Sequence, residues 1–221
     1  MDLYIDTANL DEIKEAAALG VLDGVTTNPS LIAKEKGPGG KAVAYHDRLK
    51  EICSVVKGPV SGEVISTEFD GMMREADQLV KIAENIVVKL PTTVDGLKGC
   101  KKLADQGIKV NMTLVFQPLQ ALMVAKAGAF LVSPFIGRLD DVAEDGTQLI
   151  HQIRQIYDTY GFTTKLLAAS IRHNKHMVDC ALAGADVATV PMSVIKAMLN
   201  HPLTDSGLKK FVEDYKKAFP G

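Results

Sequence analysis

The chain has 221 residues, 47% of them hydrophobic and 24% charged, which excludes fibrous and intrinsically disordered architectures. Lys and Arg number 25 against 27 Asp and Glu, a formal charge of -2, so no global positive field exists to hold a polyanion and no nucleic acid partner is expected. Apolar runs fall far short of the roughly 20 residues that span a bilayer, and residues 1–6 lack the basic and apolar regions of a secretion signal; a cytoplasmic protein with no membrane partner is expected.

Short apolar or β-branched runs alternate with helical stretches. Strands are predicted over 3–7, 24–27, 60–65, 86–90, 109–116, 129–135, 165–170 and 187–190. Between them, 9–18 begins after a polar cap region, 68–84 is charged and amphipathic, and 118–127 has proline in its first turn. Gly20, Gly107, Gly128 and Gly184 stand where four of the helices should end. Eight strand–helix units in this length predict an α/β fold, a closed (β/α)8 TIM barrel, with an open doubly wound sheet as the alternative. No linker divides the chain, so 1–221 reads as one domain. The stretch 34–41, around Gly37-Pro38-Gly39-Gly40, lacks a phosphate-loop pattern and reads as an ordinary loop. An extra C-terminal helix over 205–218 carries Leu208, Phe211, Val212 and Tyr215, a stripe that must be buried on its own barrel or on a neighbouring subunit. Cys53, Cys100 and Cys180 are an odd, scattered set and are expected as buried reduced thiols.

In a parallel barrel, reactive groups collect at the C-terminal ends of the strands. The polar residues collect there too: Asp6, Thr26 and Asn28, Glu63, Lys89, Asn111 and Thr113, Ser133 and Arg138, then Ser170 and Arg172. Alternation places Tyr4 with Asp6, Thr26 with Asn28, Ser61 with Glu63, Val87 with Lys89, Asn111 with Thr113 and Ser133 with Phe135. Their apolar neighbours Ile5, Val25, Val64, Val88, Met112 and Leu114 should then contact the outer helices. Lys89 is the sharpest signal, because lysine is almost never found at the end of a buried strand without a reason. Burial disfavours a charged amine, and a neutral amine forms Schiff bases with carbonyls. The competing reading is an ion pair with Asp6 or Glu63 that merely closes the barrel. Asp6 has a second possible role as a cap for the helix starting near Asn9, and Glu63 as a plain counter-ion. Arg138, Ser170 and Arg172 suit bidentate phosphate recognition, against the alternative of exposed surface arginines. His173 and His176 lack a third ligand, so no metal is expected.

These residues lie in motifs that resemble, essentially end to end, the small transaldolase family, whose close relative is fructose-6-phosphate aldolase. The motifs are Asp6-Thr7-Ala8-Asn9, Gly24-Val25-Thr26-Thr27-Asn28-Pro29-Ser30, Val87-Val88-Lys89-Leu90-Pro91, Asn111-Met112-Thr113-Leu114-Val115-Phe116, Ser133-Pro134-Phe135-Ile136-Gly137-Arg138 and Ala168-Ala169-Ser170-Ile171-Arg172. The resemblance implies that Lys89 is the Schiff-base lysine, that Asp6 is the acid/base group and that Glu63 with Thr113 holds a catalytic water. It also implies that Thr26, Asn28, Asn111 and Ser133 bind the dihydroxyacetone portion of the donor, and that Arg138, Ser170 and Arg172 clamp phosphate. Aldolase members typically have Gln at the position of Glu63 and Tyr at that of Phe135, so both positions here carry the transaldolase choice.

The activity implied is transfer of a dihydroxyacetone unit from sedoheptulose 7-phosphate or fructose 6-phosphate to glyceraldehyde 3-phosphate or erythrose 4-phosphate, in the pentose phosphate pathway and without a cofactor. An aldolase releasing free dihydroxyacetone is the alternative. A barrel that only binds or senses sugar phosphates, with Lys89 as a mere ion-pair partner, is the rival from another class. The family also implies a homo-oligomer, a pentamer or decamer.

Overall fold

A computed structural model describes residues 1–219. Among them the chain runs β1 (Asp2–Asp6), α1 (Leu10–Ala18), β2 (Gly24–Thr26), α2 (Pro29–Lys34), α3 (Tyr45–Val55), β3 (Val60–Glu63), α4 (Phe69–Leu79) and β4 (Ile86–Pro91). It continues through α5 (Val94–Asp105), β5 (Val110–Val115), α6 (Pro118–Lys126), β6 (Leu131–Pro134), α7 (Ile136–Asp140), α8 (Gly146–Tyr160) and β7 (Lys165–Ala168). The last elements are α9 (Asn174–Leu182), β8 (Val187–Val190), α10 (Met192–Leu199) and α11 (Pro202–Ala218). The strands pair in sequence order, all parallel, and β8 closes onto β1. The fold is the expected (β/α)8 barrel with a C-terminal helix, and not an open sheet.

Alternation along the strands separates two cores. Ile5, Val25, Val88, Met112 and Val132 face outward and join the helices in one large buried cluster. Tyr4, Val87, Leu131, Leu167 and Val187 face inward and fill the lower barrel. Above them the inward positions turn polar, and Thr26, Ser61, Lys89, Asn111 and Ser133 are all buried. Burial of polar groups at this depth requires partners for them, so the mouth of the barrel is where the sequence departs from pure packing.

Two short helices fall outside the expected pattern. Helix α2 follows β2 directly, capped by Asn28, whose side chain accepts from the Leu31 N–H at 2.9 Å. Helix α7 follows β6 at Phe135, and its Ile136 and Gly137 N–H groups donate to Ala169 and Ser170 carbonyls on the β7 side, both at 3.1 Å. Each is a single turn or little more, too short for periodicity to reveal. The helix expected over 68–84 ends at Leu79, where the bonds tighten: the Lys81 and Ile82 N–H groups donate to the carbonyls of Gln78 and Leu79. Cys100 and Cys180 are buried free thiols, whereas Cys53 is only partly buried.

Helix α11 starts earlier than expected, with the His201 side chain accepting from Leu203 N–H and Pro202 in the first turn. None of its residues is buried, and Leu208, Phe211, Val212 and Tyr215 are exposed. Among the described residues no helix is long and apolar enough to cross a membrane.

The strand that carries Lys89 is held at its exit by α5. Thr93 caps that helix by accepting from Gly96 N–H at 3.0 Å, and a Cβ on Gly96 would stand 1.9 Å from the Pro91 carbonyl oxygen. The backbone has nowhere to move without prising α5 from β4. Gly96→Ala is expected to cost about 1–3 kcal/mol, read as a drop of about 2–4 °C in Tm per kcal/mol for a domain of this size; an unchanged melt would show that this contact is not tight.

Candidate active site

Parallel register sets Lys89 of β4 beside Glu63 of β3 and Asn111 of β5. Lys89 is 5% exposed. Its Nζ lies 2.9 Å from Glu63 Oε2 and donates to the Thr27 carbonyl at 3.1 Å. Glu63 is anchored through its main chain: Tyr45 Oη donates to the Glu63 carbonyl at 2.6 Å and accepts from its N–H at 2.8 Å. A phenol from the first residue of α3 thus fixes the strand end that presents the carboxylate.

On the other side of the mouth, Thr26 Oγ1 donates to Asp6 Oδ1 at 2.8 Å and lies 2.6 Å from Thr189 Oγ1. One hydroxyl hydrogen cannot serve both bonds, so Thr189 donates to Thr26. Asp6 does not cap α1. That role belongs to Asn9, whose side chain accepts from the Asp11 and Glu12 N–H groups. Burial pushes the Asp6 carboxyl above its usual range, opposed by the Lys89 charge and by the Thr26 hydrogen bond. Between these two corners runs a chain of amide and hydroxyls: Asn111 Nδ2 donates to Ser61 Oγ at 3.1 Å, and Ser133 Oγ donates to Asn111 Oδ1 at 2.6 Å. Thr113 Oγ1 is buried and finds no partner among the described residues.

Two recesses open onto this ring. The smaller, about 100 Å³, is lined by Asp6, Thr26, Lys89, Ser133, Ser170 and Thr189, among others. The larger, about 310 Å³, is lined by Glu63, Lys89, Thr113 and Leu114, among others. Both share Asn28, Lys89, Phe135 and Arg138, so the amine stands between them. Arg138 is exposed and its guanidinium sits over the Phe135 ring, 4.7 Å from the centroid.

Three placements differ from the sequence reading or extend it. Leu114 does not face the outer helices: a register shift between β5 and β6 and a left-handed backbone, φ 60°, turn it into the larger recess. Ser170 also adopts φ 60°, so two non-glycine residues in a sparsely populated conformation flank the same mouth. Arg172, alone of the expected site residues apart from Asn111, lines neither recess; Asn111 lies just beneath them in the hydrogen-bonded ring, whereas the Arg172 guanidinium forks onto the Asp141 carboxylate. Thr189 and Tyr45 were not singled out from sequence. Thr189 was readable, as the polar inward partner of Val187 on the last strand, while Tyr45 is distant in the chain and sits on a helix. His176 gives its Nε2 to Asp140 at 2.7 Å and accepts the Arg172 N–H at Nδ1, so its ring is committed to structure.

An acid whose folded-state pKa is raised binds more protons folded than unfolded, so its contribution to stability falls as pH rises through that window. At neutral pH the fold therefore carries the cost of a charged, buried Asp6. Asp6→Asn is expected to raise Tm at pH 7.5, each ~1 kcal/mol relieved reading as about 2–4 °C, with the gain fading toward pH ~4, the ordinary aspartate range. A variant that melts lower than the parent at pH 7.5 would overturn this reading of the carboxyl.

Comparison with known proteins identifies the family. The family described as Transaldolase/Fructose-6-phosphate aldolase matches residues 3–220. A protein of Desulfosudis oleivorans named "Probable transaldolase" is 59% identical over 218 residues, covering 99% of each chain. Proteins with the same name from Geotalea uraniireducens and Bacillus cereus are 56% and 55% identical over 218 residues, again covering 99% of each chain. With a match that spans nearly every residue from the first strand to the terminal helix, the chain belongs to the transaldolase/fructose-6-phosphate aldolase family of enzymes.

Proposed function

We propose that this enzyme is a transaldolase that moves a dihydroxyacetone unit from sedoheptulose 7-phosphate or fructose 6-phosphate to glyceraldehyde 3-phosphate or erythrose 4-phosphate, in the pentose phosphate metabolism of the cytoplasm. The observation that carries the reading is a buried lysine between two recesses, 2.9 Å from one carboxylate and sharing a recess with a second. Lys89, its proton passed to Glu63, attacks the C2 ketone of the donor. The carbinolamine loses water, with protons carried by a water held between Glu63 and the Thr113 hydroxyl, and an iminium results.

Asp6 then accepts the proton of the C4 hydroxyl, the C3–C4 bond breaks, and its electron pair moves into the iminium to leave an enamine. The aldose phosphate departs. The acceptor aldehyde enters, the enamine attacks its carbonyl, Asp6 returns the proton, and hydrolysis of the new iminium frees Lys89 and the product ketose. An Asp6 carboxyl raised by burial takes and holds a proton more readily than an ordinary aspartate, which suits this two-way traffic. Thr26, Asn28, Asn111 and Ser133 hold the dihydroxyacetone hydroxyls, and Arg138, Ser170 and Arg172 hold phosphate. The reading requires no metal or organic cofactor, since the lysine itself supplies the electron sink.

Transfer is favoured over release of free dihydroxyacetone by two residues. Glu63 can take and return a proton, and Phe135 brings no hydroxyl to organise protonation of the three-carbon enamine, which leaves time for an aldehyde to arrive. The names of the close relatives support the same choice. Borohydride added with fructose 6-phosphate is expected to leave a reduced three-carbon adduct on Lys89 and to abolish activity; a Lys89→Ala protein with normal turnover would remove the mechanism. Asp6→Ala should slow turnover by ~10² to 10⁴. Turnover of fructose 6-phosphate that does not depend on an aldose phosphate acceptor would favour the aldolase reading instead.

The reading includes a homo-oligomer, for which the family resemblance implies a pentamer or decamer, and the apolar stripe of α11, exposed on its own barrel, is the surface it would use. A chain ending at Asn200 is expected to keep the barrel's melt while its mass by light scattering falls toward that of one chain; an unchanged mass would count against α11 as the contact.

A further inference from the structure

Building on the assignment of Arg172 to the phosphate clamp, we propose that Asp141 is a latch on that clamp: it holds the Arg172 guanidinium outside the site, and an incoming phosphate must displace it before both arginines engage. Both Nη atoms of Arg172 donate to the Asp141 carboxylate, Nη2 to Oδ2 at 2.6 Å and Nη1 to Oδ1. Its Nε and Cδ pack beside Gly137, where an added Cβ would stand only 2.8 Å from Nε. The Nη pair, the end that would fork onto a phosphate, is therefore occupied by Asp141. Arg138 and Ser170 line the recess, and Arg172 does not.

The main chain beneath Arg172 is held separately from its side chain. Its N–H donates to His176 Nδ1 at 3.3 Å, and His176 Nε2 bonds Asp140 Oδ2 at 2.7 Å. Release of the latch consequently needs only a side-chain rotation, with the loop left in place. The Arg172 and Asp141 side chains are 48% and 51% exposed, and ion pairs so open to water are weak. A phosphate monoester offers nearly two charges and three acceptor oxygens to the same fork. It outcompetes a single carboxylate, while a sugar without phosphate does not. The latch thus sharpens discrimination between phosphorylated and plain aldehydes.

The probe is inorganic phosphate, with Kd measured by calorimetry on the full-length protein, on Asp141→Asn, on Arg172→Gln and on the double variant. Removal of the competing carboxylate is expected to lower Kd about two- to fivefold, the scale of an exposed ion pair. Arg172→Gln raises Kd, and Asp141→Asn adds nothing in that background. KM for glyceraldehyde 3-phosphate falls in Asp141→Asn while KM for unphosphorylated glyceraldehyde stays put. A rise in Kd on Asp141→Asn would overturn the latch and make Asp141 a prop that orients Arg172. An equal gain in both backgrounds would overturn it in favour of a general field effect. An Arg172→Gln protein with unchanged phosphate affinity would instead remove Arg172 from the clamp, a failure of the underlying assignment and of the latch with it.

Discussion

Lys89 and Glu63 share a register position on adjacent parallel strands, and parity aims both into the barrel. Either charge alone at that depth would cost several kcal/mol of lost hydration, and together the pair recovers that cost only with good geometry and further hydrogen bonds. The 2.9 Å contact, the Thr27 carbonyl on the amine and the Tyr45 phenol on the Glu63 main chain provide both. The remaining features of the mouth arrange themselves around this pair. Asp6 and Thr26 form the facing corner, Asn111 with Ser61 and Ser133 bridges the floor between, and the recesses open on either side of the amine.

Rigid and strained elements are divided in a telling way. The groups near the amine project from β-strands, where hydrogen bonds on both sides fix the main chain. Of the left-handed residues, Leu114 lies at the irregularity near the end of β5 and Ser170 in the loop just after β7. Strain of this kind persists only where the surroundings over-determine the backbone, and here the surroundings are the β5–β6 register shift and the carbonyl of Ser170 bonded to Gly137 N–H. Arg172, two residues beyond Ser170, inherits its main-chain position from that anchorage and its side-chain position from Asp141.

Much of this was legible in the amino-acid order. Eight apolar runs with helices between them dictate the barrel, and a period of two told inward from outward residues well enough to separate Tyr4 and Val87 from Ile5 and Val88. Parity also brought Asp6, Glu63 and Lys89 to one mouth. It failed at Leu114 because a bulge resets the count, and nothing in Thr113-Leu114-Val115 announces one. The partner of Arg172 was hidden for a different reason: Asp141 follows α7, a helix of five residues whose existence is decided by contacts with β7 and not by its own pattern. Tyr45 was invisible because a hydroxyl that reaches across from a helix leaves no local trace. Of the two roles open to Asp6, capping of α1 falls away because Asn9 stands immediately before the helix and accepts from its first-turn N–H groups.

Beneath the polar ring, Tyr4, Val87, Leu131, Leu167 and Val187 form a buried apolar plug inside the barrel, and burial lifts the Tyr4 phenol to about 12, with Asp2 and Asp23 adding to the effect. This plug turns a tube into a cup. A guest seated at the rim then stands over an apolar floor, so a proton shed or taken up beside Lys89 has its nearest exchange partners in the guest itself and in the polar groups of the ring.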